Sequence, residues 1–339
     1  MQALIYHGPK NLSLEERPYP VFTDKDVVVK IARAGICGTD LTAYLYDGKY
    51  VAIFPECEFG HEMVGTVCEV GKSVTGVSIG DRVFINPMYC KKEGAYKTDT
   101  AGAFSEYVCV ENAAYDYNLY HLDDSVSFDE AVVAEPFSVG TGGKNAVHTK
   151  PEEHVVIYGA GTIGLCCLNA LIGMGCKQPV VVDINDARLA LAEEMGAVGF
   201  NPAKGDITEF LSKHFGTTRN VYGQAVGDVD VFVDCAGASS IPPEVLSICK
   251  NAARLSIVAV HKAPIEINFS AIMANNVEIK GSCGYNDADI REVLDNLNTH
   301  RTKISKIVTH HFPHCKAVEA FATAADPSTG AIKVVIDYE

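Results

Sequence analysis

The sequence predicts an α/β protein in two parts, an irregular β-rich domain and a doubly wound, mainly parallel sheet. Three observations predict it. Residues 155–188 read as strand, glycine turn, helix, strand and acid, in that order. Beyond them, apolar runs keep alternating with helical patterns, the arrangement of a parallel sheet covered by helices. The first 110 residues instead carry many short β-like runs broken by Gly, Pro and Asp. At 339 residues the chain is too long for one compact core and suits two domains.

Taken in order, Met1–Ile5 and Val27–Ala34 read as strands, separated by the Pro- and charge-bearing segment Pro9–Pro20. Gly35-Ile36-Cys37-Gly38-Thr39-Asp40 and Phe59-Gly60-His61-Glu62-Met63-Val64-Gly65 follow, and Gly80-Asp81-Arg82-Val83 is a turn feeding another strand. Cys37, His61 and Glu62 offer soft, borderline and hard donors, a set that suits zinc. They are not close in sequence, so spacing alone does not single out a metal, and a small buried thiol and a satisfied loop histidine stay open at this point. Glu135 adds a carboxylate before the fingerprint domain, and Asp40 is a candidate acceptor for a ligating imidazole N–H.

Val155, Val156 and Ile157 lead into Gly159-Ala160-Gly161-Thr162-Ile163-Gly164, then a Leu- and Ala-rich helical segment, then Val180–Val182 and Asp183. This is the context a dinucleotide fingerprint requires. Its glycines give a tight turn, close backbone approach to the pyrophosphate and close helix packing. The pyrophosphate is expected on the free N–H groups where the helix starts. Asp183 falls 19 residues after Gly164, where a carboxylate can bond the adenosine ribose and repel a 2′-phosphate. Residues 155–176 hold no Asp, Glu, Lys or Arg, which raises a membrane span as an alternative. The glycines and the small or polar Thr162 and Asn169 oppose it, and a buried strand and helix are also apolar all round.

Further units follow: Gly196–Phe200 with a helix after it, Val229–Asp234 ending in Cys235-Ala236-Gly237, and a helix from near Pro243. Then come strands at Leu255–Val260 and Val277–Gly281. Ligands bind at the carboxyl ends of such strands, so Ala236–Ala238, Val260 and Ser282–Tyr285 are expected to line the cofactor site. His310, His311, His314 and Cys315 look like a second metal cluster, but adjacent residues of a strand face opposite ways.

The formal charge of −15 argues against nucleic-acid or anionic-membrane partners, which need a basic face. No basic region followed by an apolar stretch opens the chain, so a secretory leader is not expected. Twelve scattered cysteines suit reduced intracellular thiols and a cytoplasmic protein better than a disulfide framework.

GICGTDL, FGHEMVGTV, IGDRV, AEPFSVG, VVIYGAGTIG, KISKIVTHHFP and GAIKVVIDYE occur in an order that resembles the zinc-containing medium-chain alcohol and polyol dehydrogenases over the whole chain. The AEP form looks like the sorbitol and butanediol dehydrogenase branch, since alcohol dehydrogenases proper carry a cysteine where Glu135 stands. The resemblance implies a GroES-like catalytic domain over 1–147 and 287–339 and a Rossmann domain over 148–286. It implies Cys37 and His61 as ligands of a catalytic zinc, with Glu62 and Glu135 completing or closely flanking the sphere. It implies Gly159, Gly161, Thr162, Ile163, Gly164, Asp183, Arg188, Ala236, Val260 and Ser282 around NAD, with Arg188 flanking the adenosine ribose.

Two departures from the family matter. Relatives often hold a second, structural zinc on four cysteines after the strand that IGDRV begins here, whereas Asn86–Phe104 contains only Cys90. One thiolate cannot close a four-ligand site, so no structural zinc is expected. Thr42 stands where many relatives have a proton-relay histidine, so the relay must use water, Thr39 or another group such as Tyr44.

The expected activity is NAD-dependent oxidation of a secondary alcohol or polyol to a ketone. Zinc polarises the substrate oxygen, Thr39 takes the hydroxyl proton, and Glu135 serves beside them. A zinc-free NADPH-dependent reductase and a non-catalytic NAD-binding protein are the alternatives. Gly284 replaces the arginine that precedes the corresponding tyrosine in sorbitol dehydrogenases, which leaves small diols, sugar alcohols and cyclic polyols open. Exposed sheet edges near Leu255 and Val277 suggest a homodimer or homotetramer.

Overall fold

The computed structural model describes residues 1–91 and 101–338. They form two compact units, one of Met1–Glu135 with Ser305–Glu339 and the other of Pro136–Ile304. The strands of the first unit are β1 (Gln2–Gly8), β2 (Asn11–Glu16), β3 (Val27–Gly35), β4 (Cys57–Glu58), β5 (Glu62–Val70), β6 (Arg82–Ile85), β7 (Tyr107–Val110) and β8 (Leu119–His121). The second unit holds β9 (Val155–Tyr158), β10 (Val180–Val182), β11 (Val198–Phe200), β12 (Thr217–Arg219), β13 (Ala225–Gly227), β14 (Val231–Asp234), β15 (Arg254–Ile257) and β16 (Glu278–Gly281). β17 (Val308–Pro313) and β18 (Lys333–Asp337) return to the first unit.

In the first unit a seven-stranded sheet runs β17-β18-β3-β5-β6-β8, with β7 also on β3, beside a three-stranded sheet β2-β1-β4. Val27, Val29, Ile31 and Ala34 of β3 point into the same core as Phe59, Met63, Phe104 and Phe321. The segment Asn11–Glu16, expected as a connector, is a strand antiparallel to β1. Leu12 and Leu14, two residues apart, turn to the core, so its period of two outweighs its charges. His310 is half-buried and His311 exposed on β17, the alternation expected of adjacent strand residues.

In the second unit six parallel strands follow the order β11-β10-β9-β14-β15-β16, the doubly wound arrangement. Val155–Tyr158 are buried on both faces, which explains their uninterrupted apolar run. The helices in chain order are α1 (Gly38–Leu45), α2 (Phe128–Ala131), α3 (Ala134–Ala146), α4 (Thr162–Met174), α5 (Asp186–Glu194), α6 (Ile207–Phe215), α7 (Ile241–Ile248), α8 (Phe269–Asn275), α9 (Asp287–Asn298) and α10 (Ala317–Ala325). The uncharged stretch 155–176 is thus a four-residue strand and a 13-residue helix stopped at Gly175, whose φ of 97° is left-handed. Among the described residues no helix is long and apolar enough to cross a membrane.

The units divide at 135/136 and 304/305, against the expected 147/148 and 286/287. The difference is α3 and α9. Lys144 pairs with Glu292 at 2.7 Å, Asn145 donates to Asp289 at 2.8 Å, and Ser256 donates to the Gly143 carbonyl at 2.7 Å. These contacts fasten both helices to the parallel sheet. The hairpin β12–β13 is a further element the sequence reading missed.

Candidate functional site

Cys37 caps α1, and its backbone N–H donates to the buried Asp40 carboxylate at 2.9 Å. The antiparallel register of β3 and β5 sets Glu62 opposite Gly35. A Cβ on residue 35 would stand 2.1 Å from Glu62 Oε2, so the glycine makes room for that carboxylate. The donor atoms of Cys37, His61 and Glu62 all lie within 4.8 Å of one another, with His61 and Glu62 buried. Burial alone would push the His61 imidazole down, but the Cys37 sulfur, Asp40 and Glu135 hold it well above its ordinary range. A buried imidazole ringed by a sulfur and carboxyl groups is the charge distribution that a bound dication satisfies. The residues therefore fit zinc.

Lys333 is the residue that sequence reasoning missed. Its Nζ lies 2.7 and 2.6 Å from the two Glu62 oxygens and donates to the Ile36 carbonyl at 2.9 Å. Both side chains are almost fully buried, at 2% and 0% exposed. A buried carboxylate is tolerable only when paired, and each carboxylate oxygen keeps a further lone pair beside the ammonium. The sequence held one signal, a lysine inside the otherwise apolar run Ala331–Ile336.

Glu135, the second residue of α3, is buried, and its charge is felt at His61, but it stands outside the close group of three. Thr39 lies in the first turn of α1 and is half-buried. The Thr42 hydroxyl donates to the Gly38 carbonyl at 2.9 Å, so its proton is committed within the helix. Tyr44 packs edge-on against Phe321, with ring centroids 5.7 Å apart.

Asp129, His311 and Asp337 form another close donor group. Arg33 Nε stands 2.9 Å from both carboxylates, so a guanidinium already supplies the positive charge there. His314 is elsewhere, 3.0 Å from the Phe104 carbonyl. Cys90 is buried, while residues 92–100 of the loop expected to lack a structural zinc lie outside the described residues.

In the second unit the sheet order reverses between β9 and β14, where ligands bind such folds. Gly159 has φ 101°, and a Cβ there would meet the Ala236 N and Cβ at 3.1 Å. A Cβ on Gly164 would lie 1.8 Å from the Gly159 carbonyl oxygen. Gly161 caps α4, leaving the N–H groups of Thr162 and Ile163 in its first turn. The Asp183 carboxylate accepts from the Ala160 N–H at 2.7 Å and the Asn185 N–H at 2.8 Å, fastening the glycine turn to the end of β10. Arg188 is half-buried in the first turn of α5. A Cβ on Gly237 would be 3.0 Å from the Val260 carbonyl, and the Val260 side chain is 85% exposed. The Ser282 N–H donates to the Ile257 carbonyl at 2.8 Å, placing it just past the end of the sheet. The glycine turn, Ala236 and Val260 are therefore one contiguous surface.

Comparison with known proteins gives the family and the fold. Residues 23–118 match the alcohol dehydrogenase GroES-like domain, and residues 162–299 match the zinc-binding dehydrogenase family. The chain is 31% identical to sorbitol dehydrogenase from Rattus norvegicus, over 95% of this chain and 92% of that protein. It is 29% identical to L-threonine 3-dehydrogenase from Coxiella burnetii (strain RSA 493 / Nine Mile phase I), over 97% and 96%. Among solved structures, the 2R,3R-butanediol dehydrogenase from Bacillus subtilis superposes with a TM-score of 0.86 at 25% identity, covering 99% of both chains.

Proposed function

Because the chain belongs to the zinc-containing medium-chain alcohol and polyol dehydrogenase family, we propose that it oxidises a secondary alcohol or polyol to the ketone with NAD. The observation that carries this reading is the close group of the half-buried Cys37 with the buried His61 and Glu62. Those three hold the zinc, and Glu135 flanks it as an acceptor for water or substrate hydroxyl. Zinc supplies Lewis acidity that lowers the pKa of an alcohol. Lys333 neutralises Glu62 without exhausting its lone pairs. The Thr39 hydroxyl accepts the hydroxyl proton and passes it to water, since Thr42 is engaged with Gly38.

The turn Gly159–Gly164 and the start of α4 bind the pyrophosphate. Asp183 bonds the adenosine ribose and disfavours a 2′-phosphate, so NAD is preferred over NADP. Arg188 flanks that ribose, and Ala236, Val260 and Ser282 line the rest of the dinucleotide site. One zinc per subunit is part of the proposal, because Asn86–Phe104 supplies one cysteine. So is a homodimer or homotetramer, which the outer strand β16, exposed along its length, would join. A cytosolic setting belongs to the same reading and rests on the cysteine usage of the sequence.

The test is NADH formation over a panel of diols, sugar alcohols, cyclic polyols and L-threonine, with zinc content measured on the same sample. Threonine belongs in the panel because relatives act on it and its 3-hydroxyl is a secondary alcohol. Turnover with NAD and one zinc per subunit is expected. Reduction of activated double bonds with NADPH, by a metal-free protein, would overturn the reading.

A further inference from the structure

Asp234, at the carboxyl end of β14, is fully buried, and its carboxylate gathers three donors. Oδ1 accepts from the N–H groups of Ala236 at 3.0 Å and Gly237 at 2.8 Å. Oδ2 stands 2.9 Å from Nε2 of His261. The Asp234 carbonyl accepts from the N–H groups of Val258 and Ala259, each at 3.0 Å. One residue thus ties the turn after β14 to the segment after β15. After Ile257 the chain forms no regular element until α8 begins at Phe269. His261 brings that segment back to the sheet immediately after Val260, whose side chain projects freely. A carboxylate oxygen accepts, so Nε2 donates. Among the described residues the other ring nitrogen, Nδ1, is buried with no partner, so there the ring's one hydrogen bond is the bond to Asp234. Gly237 lies against Val260 and Gly159 against Ala236. A shift of Val260 therefore reaches the glycine turn through direct contacts.

The geometry points to His261 as a positioning residue for the dinucleotide, acting through Asp234 to hold Ala236 and Val260 as one surface. This rests on the reading of the second unit as a dinucleotide site, and it adds a residue that touches no fingerprint position in sequence. Losing a hydrogen bond to a charged partner is worth roughly tenfold or more in affinity when binding depends on it.

The experiment compares NADH dissociation constants, by NADH fluorescence, for the full-length wild type, His261→Ala and His261→Gln, with zinc content and Tm on the same samples. Gln can present an amide N–H to Asp234 from a similar reach. His261→Ala is expected to weaken NADH binding about tenfold with zinc content unchanged, and His261→Gln to restore it to within about threefold. Wild-type affinity in His261→Ala would overturn the inference. So would equal weakness in both variants, which would assign the effect to ring volume and not to the bond. The cofactor reading is judged separately, on the wild type alone. If the wild type prefers NADPH, the same ratios read on NADPH decide the role of His261.

Discussion

The donor group of the first unit and the glycine cradle of the second are built on opposite physical terms. The half-buried Cys37 and the buried His61, Glu62 and Lys333 are drawn from segments far apart, Ile36 and Lys333 being 297 positions distant. What holds them is a balance of charge. The cradle is mostly neutral backbone within one βαβ unit, and what holds it is the absence of side chains at Gly159 and Gly164. One site is thus exposed to changes of charge and the other to changes of volume.

Four substitutions break or sharpen that contrast, from the largest expected effect down. Cys37→Ser is expected to abolish zinc binding and cut turnover at least about 10³-fold, or about 4 kcal/mol of activation energy. NADH binding should stay within about twofold of wild type, as fluorescence would report. Full turnover in this variant would sink the zinc mechanism, and lost NADH binding would collapse the distinction between the sites.

Lys333→Met leaves Glu62 buried without its cation, and such losses cost about 3–5 kcal/mol. Denaturant unfolding should show it, and the double variant Glu62→Leu/Lys333→Met should recover most of the loss. If the single variant costs under about 1 kcal/mol, charge balance is not what holds the donor group.

Gly164→Ala should lower stability by about 1–3 kcal/mol through the clash with the Gly159 carbonyl and weaken NADH binding. Zinc content should not change; a zinc-depleted Gly164→Ala protein would contradict the separation of volume from charge. Asp183→Gly should reduce the NAD-over-NADP ratio of kcat/KM about tenfold, or about 1.4 kcal/mol. An unaltered ratio would remove Asp183 from cofactor selection.

The same contrast governs what could be read in the sequence. The cradle was legible because its constraints are local: Gly159, Gly164 and Asp183 follow one another within a single strand–helix–strand unit, and the structure joins them by direct contact. Cys37, His61 and Glu135 carry no local spacing rule, and only the order of motifs shared with a family singled them out. Lys333 escaped because its pairing with Glu62 closes over 271 positions. His261 escaped for a related reason, since it lies in the irregular segment after β15 while its partner Asp234 ends β14, 27 positions earlier. The strand Asn11–Glu16 was hidden by its charges, although Leu12 and Leu14 kept the alternation that β pairing needs. The boundary at α3 and α9 depends on Lys144, Asn145 and Glu292, long polar side chains whose partners lie on another helix.

The late position of Lys333 also bears on how the protein is made. Residues 136–304 are one continuous stretch, so the second unit can fold on the ribosome as soon as it emerges. The first unit cannot. Its last strand β18 pairs with β3, and Lys333 on that strand is the counter-ion for Glu62. During synthesis Glu62 therefore waits, without its cation, while more than 200 residues are added. A nascent chain stalled just short of residue 333 should resist protease across 136–304 and be cut within β5, whereas a chain released after β18 should be protected in both. For this fold, the metal-donor group is completed only after the whole of the second unit has been made.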